Sequence, residues 1–208
     1  MPLPRFYKLD PEQRENLLGA ARAEMLEHGY EGASFNRVIE RAGISKGAMY
    51  YYFADKADLY RTVTEAIAEE AMAAFGELGP VSSAAEYWGG LEAMMQRALT
   101  WITAQPQLAE IGKSVYANQG GVLDALRARL LEGVSDVLKQ GQNVGAIRTD
   151  FPLGLLAEAA TGMMMGADRW FAEHFAEMPA EDVMRISYAT YGLLRQLLEP
   201  PETRPAET

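Results

Sequence analysis

The side chains with the clearest chemical purpose fall between Ser34 and Lys56, in the run SFNRVIERAGISKGAMYYYFADK. Ser45, Lys46, Gly47 and Ala48 are small or cationic, so a backbone carrying them can approach a bulky anionic partner closely. Lys46 places a cation beside that approach. Tyr50, Tyr51 and Tyr52 follow as rigid planes with hydroxyl tips, suited to touching a thymine methyl or donating to a phosphate oxygen. Lys56 adds a second cation. These types suit recognition of a duplex polyanion and offer no bond-making group.

Such residues need a short, well-held helix, and the flanking sequence supplies one. Ser34 is expected to cap a helix through its hydroxyl, with Phe35, Val38, Ile39 and Ala42 facing inward. Gly43 marks a sharp turn, Ile44 plugs the angle, and Ser45 caps the helix from Lys46 to Tyr51. Two helices joined by a short Gly-containing turn form a helix-turn-helix, whose second helix presents its first residues to base edges. Asp55 caps the helix that follows. Upstream, Asp10 and Pro11 open a supporting helix with Leu17, Leu18, Ala21, Met25 and Leu26 inward. That helix ends at Gly29 to Gly32. Residues 1–9, with Pro2, Pro4, Arg5 and Lys8, read as a short, loose arm, with a frayed terminus preferred over an arm that reaches along a groove.

From Gly29 to Leu59 the pattern G-Y-x-x-A-S-F-N-x-V-I-x-x-A-G-I-S-K-G-A-M-Y-Y-Y-F-x-D-K-x-x-L resembles the DNA-binding domain of TetR-family transcriptional repressors. The resemblance covers about the first quarter of the chain. It implies an all-α protein of about nine helices, with a three-helix DNA-binding domain in residues 1–56. A helical ligand-binding and dimerisation domain would fill 57–199, followed by a disordered tail at 200–208. It further implies a homodimer on a palindromic double-stranded operator, released or recruited by a small, largely apolar effector. The expected location, read from an N-terminus without a hydrophobic leader, is the cytoplasm. Carried over by position, Ser34, Lys46, Tyr51 and Lys56 become phosphate contacts. Asn36, Arg37, Gly47, Ala48 and Tyr50 lie at or near base edges, with the capping Ser45 in the same DNA-facing set. Many relatives carry a basic residue where Asn36 stands and His where Tyr52 stands. Asn favours adenine geometrically, so the operator sequence stays open.

The formal charge of −10 over 208 residues divides unevenly. Residues 1–56 hold eight Lys/Arg and eight Asp/Glu, whereas 57–208 hold eleven against twenty-one. The excess acid keeps the second part off nucleic acid, and the first part retains a basic face. Absence of Cys removes disulfides, thiolate nucleophiles and cysteine metal sites. The two histidines, His28 and His174, lie far apart without a second ligand at metal spacing. No phosphate-binding glycine loop and no spaced nucleophile–base pair occurs, so neither an enzyme nor a cofactor is indicated. No apolar run spans a bilayer and no hydrophobic leader opens the chain.

Beyond the first domain, helices are expected over 56–75, from Ser82 or Ser83 to about 105, and at 107–118, 122–140, 153–176 and 180–198. Breaks are expected at Gly120-Gly121 and from Gly141 to Pro152. Met94, Met95, Trp101, Tyr116, Met163, Met164, Trp170 and Phe171 are candidates for an adaptable apolar pocket. Gly154, Ala159, Gly162 and Gly166 form a smooth strip on one helix, and Leu194 and Leu197 belong to the stripe of the last. Together the two helices are expected to pair with their copies. Glu158, Asp168 and Arg169 interrupt the strip and argue against a membrane span.

Overall fold

Asp10 accepts the backbone N–H of Gln13 at 2.9 Å, with Pro11 at the opening position, and so starts helix α1 (Pro11–Gly32). The structure, a computed structural model, describes residues 2–117 and 121–201, with backbone only at 121 and 122. Near its end α1 kinks at Gly29, whose φ of 65° lies in the left-handed region that favours glycine. Helix α2 (Phe35–Ala42) ends at Gly43, also left-handed at φ 66°. There the Gly43 N–H bonds to Glu40 O and the Ile44 N–H to Ile39 O, a paired cap that turns the chain sharply. Helix α3 (Lys46–Tyr52) starts with the Ser45 hydroxyl accepting from the Ala48 N–H at 3.1 Å. Asp55 does the same for Asp58 at 2.8 Å and starts α4 (Lys56–Phe75).

The second half contains α5 (Ala84–Thr103), α6 (Leu108–Ala117), α7 (Gly121–Asn143), α8 (Leu153–His174) and α9 (Ala180–Leu198). Ser83 caps α5 through Glu86. The described residues contain nine α-helices and no strand, in keeping with the all-α expectation. None of these helices is long and apolar enough to cross a membrane. The expected break at Gly120 and most of the tail fall outside the described residues.

Among the described residues two apolar cores organise the fold. The first joins Leu17, Met25, Val38, Met49, Phe53, Leu59 and Val63, and α6 adds Leu108, Ile111 and Val115 to it. Helix α6 therefore packs directly on α1, as well as on α8. The second core gathers Tyr87, Trp88, Leu138, Ile147, Leu156, Ala157 and Leu198.

Three expectations fail, each through tertiary contact. Ser34 makes no side-chain cap bond; its backbone N–H instead donates to the Glu24 carboxylate of α1 at 3.0 Å. Gly141 does not end α7, which continues to Asn143. A Cβ there would lie 2.4 Å from Ile147 and 2.6 Å from Tyr87, so the glycine serves close approach within the helix. Residues 2–8 are not frayed. Phe6 is 2 % exposed, within the first core, and starts a short 3₁₀ turn over Phe6–Lys8.

Candidate nucleic-acid interface

Helix α3 is short and packs on α2, with its inner side turned to the first core. Met49 and Phe53 are fully buried, which fixes the rotation of the helix. Lys46, Gly47, Tyr50 and Tyr51 consequently face solvent. Tyr50 packs edge-on against Phe35 of α2 at 5.7 Å, and Tyr51 against Tyr52 at 5.6 Å. Both rings are thus braced and largely exposed, Tyr50 with an open outer face and Tyr51 with the Arg5 guanidinium over its ring. Gly47 is clear of neighbours: an added Cβ would meet only the Ser45 hydroxyl, at 3.9 Å. Ala48 is partly buried, with its N–H committed to the cap.

The remaining expected contacts divide into open and engaged groups. Asn36, the second residue of α2, is exposed, and Ser34 is half-buried at the same end. Arg37 is held: its Nε donates to Glu24 Oε1 at 2.7 Å and its Nη2 to the Gly32 carbonyl. Glu24 is entirely buried, so this pair locks α2 onto α1. Lys56 donates to the carbonyls of Tyr30 at 2.8 Å and Glu31 at 3.0 Å, and lies 4.7 Å from the centre of the Tyr30 ring. It closes the last turn of α1 and ties that turn to the start of α4. An ammonium has three donors, so Lys56 keeps one for an outside acceptor.

Sequence reasoning missed two contributors. Glu24 stands on the inward stripe between Ala21 and Met25, and an acid in that position was the available signal for a buried pair. Arg5 lies with its guanidinium 4.1 Å from the centre of the Tyr51 ring, beside the exposed face of α3.

In the C-terminal half, the expected pocket residues Met94, Met95, Tyr116, Met163, Met164 and Phe171 are partly accessible and belong to neither core, and Trp170 is exposed. Trp101 packs against the first core and lines an open groove of about 700 Å³ between α4 and α5, with Gln96, Arg97 and Thr100. The Tyr116 hydroxyl donates to Asp168 Oδ2 at 2.6 Å, linking α6 to α8. Asp168 keeps solvent contact, yet protein crowds it, and this desolvation raises its carboxyl above the ordinary range against the opposing pull of the Tyr116 hydrogen bond. Desolvation, with the Asp168 charge second, also pushes the Tyr116 phenol up. Trp170 stacks on His174 at 4.5 Å, and the His174 ring is bonded to the Trp170 carbonyl. Among the described residues no group of three or more His, Asp or Glu could hold a metal ion.

Gly154, Ala159, Gly162 and Gly166 are exposed on α8, and a Cβ at each of the three glycines would meet nothing within 4 Å. Leu155 on the same helix is 55 % exposed, as is Leu193 on α9 at 58 %. Leu194 and Leu197 instead pack, partly buried, against the second core.

Residues 17–63 match the family model described as bacterial regulatory proteins, tetR family. The chain is 29 % identical over 150 residues to the HTH-type transcriptional repressor AcnR of Corynebacterium glutamicum, covering 69 % of this chain and 73 % of that protein. AcnR of Corynebacterium diphtheriae is 28 % identical over 156 residues, covering 75 % and 78 %. Among solved structures, SmeT, the repressor of the Stenotrophomonas maltophilia multidrug efflux pump SmeDEF, superposes with a TM-score of 0.73 at 17 % identity, over 94 % of each chain. The fatty acid degradation regulator FadR of Bacillus halodurans gives 0.71 at 15 % identity, over 94 % of this chain and 99 % of its own.

Proposed function

The chain belongs to the tetR family of bacterial regulatory proteins, and we propose that it is a ligand-responsive repressor working as a homodimer on a palindromic operator. The observation that carries this reading is the exposed face of α3. Lys46, Gly47, Tyr50 and Tyr51 point outward from a helix whose inner side is sealed by Met49 and Phe53. Lys46, Tyr51, Ser34 and the third donor of Lys56 contact phosphate. Asn36, Gly47, Ala48 and Tyr50 sit at base edges, with Ser45 positioning them and Arg37 principally setting the angle of α2. The domain boundary falls at the start of α4, with DNA-binding residues 1–56 and effector and dimer functions in 57–199.

The dimer forms through α8 and α9. The open strip of Gly154, Ala159, Gly162 and Gly166 lets a second helix approach closely, and Leu155 and Leu193 supply apolar area beside it. Leu194 and Leu197 support this face from behind.

A small, largely apolar effector occupies the region between the two cores, among Met94, Met95, Trp101, Tyr116, Met163, Met164, Trp170 and Phe171. Helix α6 contributes Tyr116 to that region and Leu108, Ile111 and Val115 to the N-terminal core. Movement of α6 is therefore felt by α1 and α4, and so by the spacing of the two α3 helices in the dimer. The effector acts by binding one arrangement better than the other. As a DNA-binding regulator, the protein acts in the cytoplasm.

Selection of random duplexes on the purified protein, followed by affinity measurement across salt, tests this. A palindromic consensus bound by two chains with a steep salt slope is the expected result. Absence of enrichment from both native and unfolded-and-refolded protein would overturn it.

A further inference from the structure

We propose that the N-terminal segment is a docked arm that adds Arg5 to the DNA-contacting surface, as a phosphate contact beside Tyr51. This rests on the reading of α3 as the DNA-binding helix. The arm is built into the fold at several points. Phe6 is buried, with its ring centre 5.1 Å from that of Phe53. The Leu3 N–H donates to the Tyr52 carbonyl at 2.9 Å, fastening the segment to the end of α3. Arg14 of α1 donates to the Leu9 carbonyl at 3.3 Å from the other side. Pro4 lies between these anchors and Pro2 just ahead of them, and both restrict the backbone. Arg5 therefore does not sample the wide space of a free terminus.

Among the described residues Arg5 is one of the cations of residues 1–56 that hold no carboxylate partner. Eight cations and eight acids cancel in total. Within the fold, however, Arg22, Arg37 and Arg41 are committed to Glu70, Glu24 and Glu27. Arg14 and Lys56 are turned toward backbone carbonyls. Among the described residues Arg5, Lys8 and Lys46 have no carboxylate within ion-pair distance. Lys46 lies at the start of α3, and Arg5 lies against Tyr51 at its end. The exposed face of the helix is thus bracketed by two uncompensated cations. The planar guanidinium lies over the phenol ring, which orients its outer N–H groups and lowers the entropy lost in gripping a phosphate.

The test uses the full chain and the duplex that the wild type itself selects. Arg5→Ala is expected to reduce affinity about tenfold at moderate salt and to lower the salt slope by about one, as loss of one phosphate contact does. The selected consensus should not change, and Arg5→Lys should recover the slope. Arg5 is exposed, and thermal unfolding of each variant checks that the fold is retained. A wild-type slope and affinity in Arg5→Ala would overturn the arm while leaving the DNA-binding reading intact. A lowered melting temperature with the slope unchanged would do the same, because it would reduce Arg5 to packing on Tyr51. Wild type that binds no duplex would overturn both.

Discussion

Arg37 tests whether the angle of α2 is set by a buried charge. Its Nε donates at 2.7 Å to a Glu24 carboxylate with no solvent exposure, and the other Glu24 oxygen lies 3.8 Å from the His28 ring without a hydrogen bond among the described residues. Arg37→Ala removes a charge-assisted bond worth about 1.5–3 kcal/mol. It also leaves Glu24 buried without its cation, for which breaking a buried pair costs about 3–5 kcal/mol. The upper figure is too large here, because the Arg37 side chain is 46 % exposed and water shares the load. A loss of about 2–3 kcal/mol is expected, or about 4–12 °C in melting temperature for a chain of this size. Glu24→Gln in the same background removes the stranded charge and should recover part of the loss. Chemical denaturation of wild type, both single variants and the double variant closes the cycle. A loss below about 0.5 kcal/mol, with no coupling between the sites, would refute the reasoning and return Arg37 to a purely DNA-contacting role.

Other perturbations have equally definite signs. Gly141→Ala should destabilise by about 1–3 kcal/mol in denaturant unfolding, because the new methyl overlaps Ile147 and Tyr87. Gly162→Glu should leave the subunit folded, since nothing stands within 4 Å of the new Cβ, but shift light scattering from dimer to monomer. Asp168→Asn should be more stable than wild type at neutral pH. The raised carboxyl is ionised there at a cost to the native state, and the advantage should shrink as pH falls through that raised value toward the ordinary 3.8.

The elements set by local chemistry were legible in the chain. Asp10, Ser45, Asp55 and Ser83 cap the helices they were expected to cap, and Gly43 turns between α2 and α3 as read. These depend on side chains within a few residues of the backbone groups they serve. What was not legible depends on distant partners. Ser34 stands at the N-cap of α2 without a hydroxyl cap bond, and its N–H reaches Glu24, ten positions upstream. Gly141 resembles a break locally, but Tyr87 and Ile147 need its empty space inside a continuing helix. Proline-rich residues 2–8 resemble a loose end until the burial of Phe6 against Phe53 is seen. The candidate site shows the same division. The outward face of α3 follows from the spacing of Met49 and Phe53, whereas the engagement of Arg37 and Lys56 by α1 does not follow from their own neighbourhood. The insertion of α6 into the N-terminal core is likewise a tertiary fact, with no counterpart in the local pattern.

Gly47→Glu tests the claim that the outer face of α3 reads DNA most directly. The site is exposed and has room for a side chain, so the fold and the α8–α9 face should be untouched. The measurement compares wild type and variant on the selected duplex and on a scrambled duplex at one salt concentration, with oligomeric state determined alongside. Wild type is expected to prefer the selected duplex by about a thousandfold or more, and the variant to remain folded and dimeric while losing that preference. A folded, dimeric Gly47→Glu protein that keeps the full preference would place DNA recognition somewhere other than α3.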